Sequence, residues 1–365
     1  RFDLIHNHLN WRPLLLAELV TTPVVTTLHG AAMLEPAARR AFLRFPQRPY
    51  VAISQAEREA VPGLNYVATV PNGIQLEQFT FQGRPGAYLL FLARMHPAKG
   101  PDLAIQVARR TGLPLVMAAH IPPDQRAYFE QEIRPQIDGD QIRFVGEADP
   151  PTRDRLMGGA LALLHLVREP EPFGLTLAEA QACGTPVIGF DRGSVGEVVA
   201  HGETGFVVRS LEEACAAVER VAALDRAACR RRVERHFTVD RMVEGYLEAY
   251  QRVLAGHELE PGPGQEDEKE DPERGRVQQA PFGPVGASRK EPVALGPACD
   301  QGREAEESLV FQAVERVAQE GPLHQVPAHV QADGKSQAPR PKPCGPKGGA
   351  GQPGVEHGQG VHPVA

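Results

Sequence analysis

Residues 168–189 read R-E-P-E-P-F-G-L-T-L-A-E-A-Q-A-C-G-T-P-V-I-G, with Glu171 and Glu179 separated by seven residues. The apolar run 160–167 before them has the composition of a strand buried on both faces of a parallel sheet. Pro170, Pro172 and Gly174 interrupt regular structure. From Leu175 to Cys183 the apolar spacing turns helical, Gly184 stands where a helix end takes a glycine, and Pro186 precedes a further strand over 187–190. Strand, loop, helix and strand make one βαβ unit. It predicts Glu171 in the loop beyond the strand's carboxyl end and Glu179 one to two turns inside the helix.

That placement has a chemical meaning. The N–H groups around Phe173, Gly174, Leu175 and Thr176 open the helix, and such groups attract phosphate. Carboxylates instead accept hydrogen bonds from hydroxyls. Amide donors with a carboxylate on either side suit a diphosphate hydroxylated at both ends, as a sugar nucleotide is. The plainer alternative is a proline-rich loop with two solvated glutamates.

Outward from this unit the chain alternates strand and helix. On the amino-terminal side, strands are predicted over 2–6, 23–29, 50–53 and 66–70, with helices over 14–19, 37–45 and 55–60, the last capped by Ser54. Residues 74–86 read as a linker. A second series follows, with strands over 88–93, 115–119 and 142–146, helices over 102–110 and 124–133, and then the opening unit. Ser194 and Glu197 have capping-box spacing. A strand over 204–208 and helices over 211–224, 226–235 (capped by Asp225) and 239–254 complete the series. The alternation predicts an α/β protein with a parallel sheet in each half. About 70 residues before the linker are few for a doubly wound domain, so the first domain is expected to be incomplete.

Composition changes at His257. The last 109 residues hold 16 Gly and 15 Pro with few large aliphatics, the composition of a disordered tail. The net charge of −7 falls mostly on that tail. The near-neutral body argues against a nucleic-acid partner. No apolar run reaches membrane-spanning length, and five cysteines without paired spacing indicate free thiols in a reducing compartment, hence a cytoplasmic protein. His6 and His8 form an H-x-H pair without an evident third ligand, so no metal is expected.

In open parallel sheets, ligands bind beyond the carboxyl ends of the strands. Arg94, Gly146 with Glu147, and Glu171 each follow a strand. Up to residue 256 the chain has 27 arginines and a single lysine, Lys99, five residues after Arg94. One compact ammonium in an arginine-writing chain points to a rotatable point charge for phosphate. His29 ends its strand and is a hydroxyl partner or, equally, a core histidine.

The motifs V-V-T-T-L-H-G, V-A-I-S, V-P-N-G-I, L-A-R-M-H-P-A-K-G, E-P-F-G-L-T-L-A-E-A-Q-A-C-G-T-P-V-I, G-S-V-G-E-V-V and G-E-T-G-F-V-V, in that order, resemble a bacterial glycosyltransferase of family 4 over roughly residues 1–255. The resemblance implies a GT-B architecture of two Rossmann-like domains. These are a partial acceptor domain over 1–80 and a donor-binding domain over 81–238, with a helix over 239–256 crossing back and a tail over 257–365. It implies a retaining hexosyltransferase that needs no metal or other cofactor. Its co-substrate is a nucleotide-diphosphate sugar, its acceptor is a sugar, lipid or small molecule, and peripheral membrane contact is possible in principle. By position, Arg94 and Lys99 neutralise the diphosphate, Glu171 holds hydroxyls of the transferred sugar, and Glu179 holds those of the ribose. The amides from Phe173 to Thr176 line the sugar and phosphate, and His29 contacts the donor sugar from across the cleft. The alternatives are a non-catalytic nucleotide-sugar-binding fragment and another GT-B enzyme such as a sugar-nucleotide epimerase. The charged loop H-L-V-R-E-P departs from the more apolar segment the family leads one to expect.

Overall fold

The structure is a computed structural model that describes residues 2–256; the tail predicted over 257–365 lies outside them. Four strands, β1 (Ile5–Asn7), β2 (Val24–Thr27), β3 (Tyr50–Ala52) and β4 (Tyr66–Thr69), form a parallel sheet in chain order. Six more, β5 (Leu89–Leu92), β6 (Leu115–Ala118), β7 (Ile142–Gly146), β8 (Ala162–His165), β9 (Val187–Phe190) and β10 (Gly205–Val208), form a second parallel sheet in the order β10-β9-β8-β5-β6-β7. β2, β6 and β8 are buried along their whole length, as the unbroken apolar runs require of strands covered on both faces.

The helices are α1 (Ala31–Leu34), α2 (Pro36–Phe42), α3 (Gln55–Ala60), α4 (Pro101–Thr111), α5 (Arg126–Tyr128), α6 (Pro150–Gly158), α7 (Leu175–Ala182), α8 (Val195–Val198), α9 (Leu211–Val221), α10 (Arg226–His236) and α11 (Val239–Leu254). The predicted caps Ser54 and Asp225 are in place, and Ser210 and Thr238 act likewise: each accepts a hydrogen bond from the first turn of the helix that follows. In the second sheet, α4 and α9 pack on one face and α7 and α10 on the other. Met242, Tyr246 and Ala249 of α11 share a core with Val25, Val51, Val67 and Val70, so this last helix lies on the first sheet.

Several elements differ from expectation. The helix read over 14–19 is two 3-10 turns, Arg12–Leu15 and Ala17–Leu19. The helix read over 124–133 breaks into 3-10, α and π turns around α5. Helix α6 lies where no element is predicted; it opens on Pro150 and Pro151, Asp149 caps it, accepting from Thr152 N at 3.0 Å, and proline is well tolerated in a first turn. The stretch 74–86 is no loose linker. Ile74 N donates to Phe237 O at 2.9 Å, Phe79 is buried, and Arg230 Nη1 donates to Phe79 O at 2.8 Å. Ser194 makes no capping box with Glu197, because its hydroxyl is used elsewhere, as described below.

Candidate active site

The strand order brings the site together. β8 and β5 are neighbours although β6 and β7 separate them in sequence. The order reverses between them, and a crevice opens at such a switch point. The loop after β5, carrying Arg94 and Lys99, therefore emerges beside the loop after β8, carrying Glu171. Lys99 Nζ lies 2.8 Å from Glu171 Oε2, and His165 Nε2, at the end of β8, lies 3.0 Å from the same oxygen. Glu171 is 8% exposed. Burial by itself raises its carboxyl pKa, but the hydrogen bond from His165 and the charge of Lys99 outweigh that and bring it down to about 2. At neutral pH Glu171 is an anion, able only to accept.

The backbone of Glu171 is fixed as firmly as its side chain. It forms a bridge to Gly193, Ser194 N donates to its carbonyl at 2.8 Å, and Ser194 Oγ donates to the carbonyls of Glu171 and Phe173 at 3.0 and 2.9 Å. A Cβ on Gly193 would stand 2.2 Å from Glu171 O, so only glycine permits this approach. The charged loop before Glu171 has a structural purpose: Arg168 grips Asp102 through both guanidinium nitrogens, at 2.9 and 2.6 Å. It also donates to Pro97 O and, by its backbone, to Ala98 O. These bonds tie the Lys99 loop to the Glu171 loop.

Glu179 lies one turn inside α7, 7% exposed, with Oε1 3.5 Å from Arg153 Nη1 of α6. Burial raises its pKa against the pull of Arg153. Among the described residues Oε2 has no hydrogen-bond partner. A buried carboxylate oxygen in that state calls for a donor. Gly174 is the N-cap of α7, and Leu175 and Thr176 are half-buried at its opening. The Phe173 ring packs edge-on against Phe237 at 5.7 Å, which leaves its backbone to serve the opening of α7.

Not every predicted residue joins the cluster. Gly146 ends β7, the edge strand, two strands from β5 and so about 10 Å away along the sheet. Glu147 beside it is exposed and pairs with His120 at 3.1 Å. Arg94 stands two residues beyond the end of β5 and is exposed.

From the first sheet, His29 follows the carboxyl end of β2 with φ 49° and is buried. Gly30 approaches Pro172 so closely that a Cβ there would be 2.4 Å from Pro172 Cγ, which puts His29 beside the Glu171 loop. Buried Glu57 accepts from Gly30 N and from Ile53 N, fastening this turn. Burial, opposed by those two amides, lifts the Glu57 carboxyl to about 7. The sequence pair His6 and His8 does have a third histidine nearby, against expectation. His8 Nδ1 lies 2.8 Å from His29 Nε2, and His8 Nε2 lies 3.2 Å from His6 Nδ1. The three form a hydrogen-bonded file, and no metal-ligand cluster of three or more groups occurs among the described residues. A cavity of about 370 Å³ lies beside them, lined by His8, Asn10, Arg12, Leu28, His29 and Ala31. No helix among the described residues is long and apolar enough to cross a membrane.

Two parallel sheets, each covered by helices, with polar loops at the switch point of the second, define the GT-B class, and this is the fold of the chain. Residues 77–233 match the family model described as glycosyl transferases group 1. The chain is 30% identical over 202 residues to D-inositol 3-phosphate glycosyltransferase of Rhodococcus erythropolis, covering 49% of this chain and 44% of that protein. It is 29% identical over 269 residues to glycogen synthase of Mycobacterium tuberculosis, covering 64% and 63%. It thus spans about half the length of the curated relatives it matches. Among solved structures, that of Anabaena HepE in complex with UDP and glucose superposes with a TM-score of 0.61 at 19% identity, covering 68% of this chain and 78% of that one.

Proposed function

We propose that the chain carries the donor site of a retaining, family 4 glycosyltransferase that moves a hexose from a nucleotide-diphosphate sugar to an acceptor hydroxyl. The reading rests above all on Glu171, a buried anion held between Lys99 and His165 at a switch point. It is supported by the open carboxylate oxygen of Glu179 one turn further along α7. In this reading Glu171 accepts from hydroxyls of the transferred sugar and Glu179 from the ribose. The base extends along the strand ends toward Gly146 and Glu147. Lys99, Arg94 and the amides of 173–176 meet the charge that develops on the departing diphosphate. The bond between the anomeric carbon and the phosphate oxygen breaks. The acceptor oxygen bonds to the same face of that carbon, and its proton passes to the departing phosphate oxygen. The negative charge is met by protein cations and amides, so the mechanism calls on no metal. The acceptor enters from the side of His29 and the cavity next to it.

In domain terms, 1–80 would shape the acceptor side and 81–238 the donor side, with 239–256 lying across the first; the setting would be cytoplasmic. The bound UDP and glucose of the Anabaena structure and the sugar-transfer names of the relatives agree with a nucleotide-sugar donor. Calorimetric titration of the full chain with UDP, GDP, ADP and their glucose conjugates tests the reading. One nucleotide should bind, Glu171→Ala should weaken its glucose conjugate while sparing the bare nucleotide, and Lys99→Ala should weaken both. A folded sample that binds none of them contradicts the proposal.

A further inference from the structure

A second cavity, of about 450 Å³, lies between the ends of β3 and β4 (Ile53, Pro71) and the segments around α8, α10 and α11. Its floor is apolar and includes the rings of Phe173 and Phe237. Its rim is cationic: Arg232, Arg235, His236 and Arg241 all line it. These charges are poorly neutralised. Arg232 is bonded to the carbonyls of Val198 and Glu197, at 2.7 and 2.5 Å, which hold its guanidinium in place but cancel no charge. Arg241 pairs with Glu244 at 2.9 Å with both side chains well exposed, a weak pair. Among the described residues Arg235 makes no hydrogen bond or ion pair. The single carboxylate on the lining, Glu197, is turned to the amides of Gln55 and Ala56, at 2.8 and 2.7 Å, and its one negative charge leaves an excess of positive charge among Arg232, Arg235 and Arg241.

Like charges gathered around one concave surface repel unless an anion sits among them. The same arrangement lowers the proton affinity of His236, first through burial and then through Arg232, Arg235 and Arg241. We infer that this cavity is an anion site for a phosphate dianion, free or as the monoester of a compact metabolite, held by Arg235, Arg241 and His236 over the Phe173–Phe237 floor. The site is separate from the donor crevice but adjoins it through Phe173, two residues from Glu171. An occupant would therefore press on the loop that carries the donor carboxylate.

Proton NMR of the His236 imidazole in the full chain, at fixed ionic strength maintained with chloride, provides the test. Inorganic phosphate and phenyl phosphate are titrated separately, and the tighter of the two tells a free phosphate from an esterified one with a ring for the floor. Saturable perturbation of His236 by either is expected, weakened at least tenfold in Arg235→Ala/Arg241→Ala and unchanged in Lys99→Ala. Both arginines are at the surface, so the double variant should fold. The inference is overturned if neither phosphate perturbs His236 saturably, or if the double variant binds as the parent does. It is equally overturned if Lys99→Ala abolishes the effect, because the phosphate then occupies the donor site. Loss of the donor-site reading would leave this outcome untouched, since His236 is the reporter.

Discussion

His8 Nδ1 lies 2.8 Å from His29 Nε2, and the contact is the last link of a chain that begins on helix α11. Tyr250 OH is 2.7 Å from His6 Nδ1, which is 3.2 Å from His8 Nε2; His6 Nε2 is 2.8 Å from Thr27 Oγ1, and that hydroxyl is 3.3 Å from Tyr246 OH. Burial lowers the pKa of His6 well below its usual value and that of His8 to about 4, so both are neutral at pH 7. A neutral imidazole donates through one nitrogen and accepts through the other, so each tautomer fixes the next. The position of the proton on His29 is then linked to the tyrosines of the last helix. Tyr250→Phe and His8→Ala should each lower kcat about tenfold, the scale of one hydrogen bond, with the donor KM little changed. The nitrogen NMR shifts of His29 should move toward a tautomer mixture in both. If Tyr250→Phe leaves kcat and those shifts as they were, the chain does not govern His29.

In the proposed function, Lys99 and Glu171 divide the donor between them. Lys99→Ala should weaken binding of the nucleoside diphosphate by about 1.5–3 kcal/mol, as for a hydrogen bond to a charged group. Lys99→Arg should restore only part of that, since a planar guanidinium does not fit the position of a compact ammonium. Full affinity in Lys99→Ala, measured by calorimetry, removes Lys99 from the donor site.

The two glutamates should fail differently. Glu179→Ala should reduce affinity for the bare nucleoside diphosphate, because its open oxygen is assigned to the ribose. Glu171→Ala should spare the nucleotide and reduce affinity only for the sugar conjugate. The reverse pattern exchanges the two assignments.

What the sequence carried and what it hid can be seen at these same positions. Lys99 and Glu171 were each legible, because each follows a strand and departs from its local composition. Their contact was not, because it depends on β8 lying beside β5, and sheet order is not written in local spacing. His165 was concealed inside an apolar run and Glu57 inside an ordinary helix, yet one holds the Glu171 carboxylate and the other fastens the His29 turn. Arg168 looked like a misfit until its carboxylate partner, 66 residues earlier, came into view. Arg153 was missed with the whole of α6, whose two leading prolines imitate a loop. Local periodicity is fixed by a few neighbours, whereas these partners are fixed by the fold.

Glu57 and Glu171 should shape the pH dependence of stability in opposite directions. Glu57 is raised to about 7 from the ordinary 4.5 of a glutamate, so the folded state holds its proton more tightly than the unfolded chain. Its contribution is complete below about pH 4.5 and is lost as pH rises through 7. Glu171, lowered to about 2, contributes above pH 4.5, and that contribution is lost as pH falls through 2. Chemical denaturation of the parent and of Glu57→Gln at pH 5 to 8 separates the first effect. The variant should gain on the parent by about 1–3 kcal/mol across that range. A difference that stays constant with pH shows that Glu57 does not titrate there.

The Arg168–Asp102 clamp should behave as one unit serving the Lys99 loop. Both side chains are partly exposed, so the clamp contributes little to global stability, about 1 kcal/mol or less. Its bidentate geometry, with the further bonds to Pro97 O and Ala98 O, acts instead on where Lys99 stands relative to Glu171. Loosening that loop adds an ordering cost to donor binding, about 1 kcal/mol for a few backbone torsions. Arg168→Ala and Asp102→Ala should therefore each weaken donor binding about fivefold while leaving the denaturation midpoint nearly unchanged. The double variant should be no worse than either single one, since the second change removes nothing further. Additive losses in that cycle would mean that the two residues act on the donor separately, and that the loops are held together by other contacts.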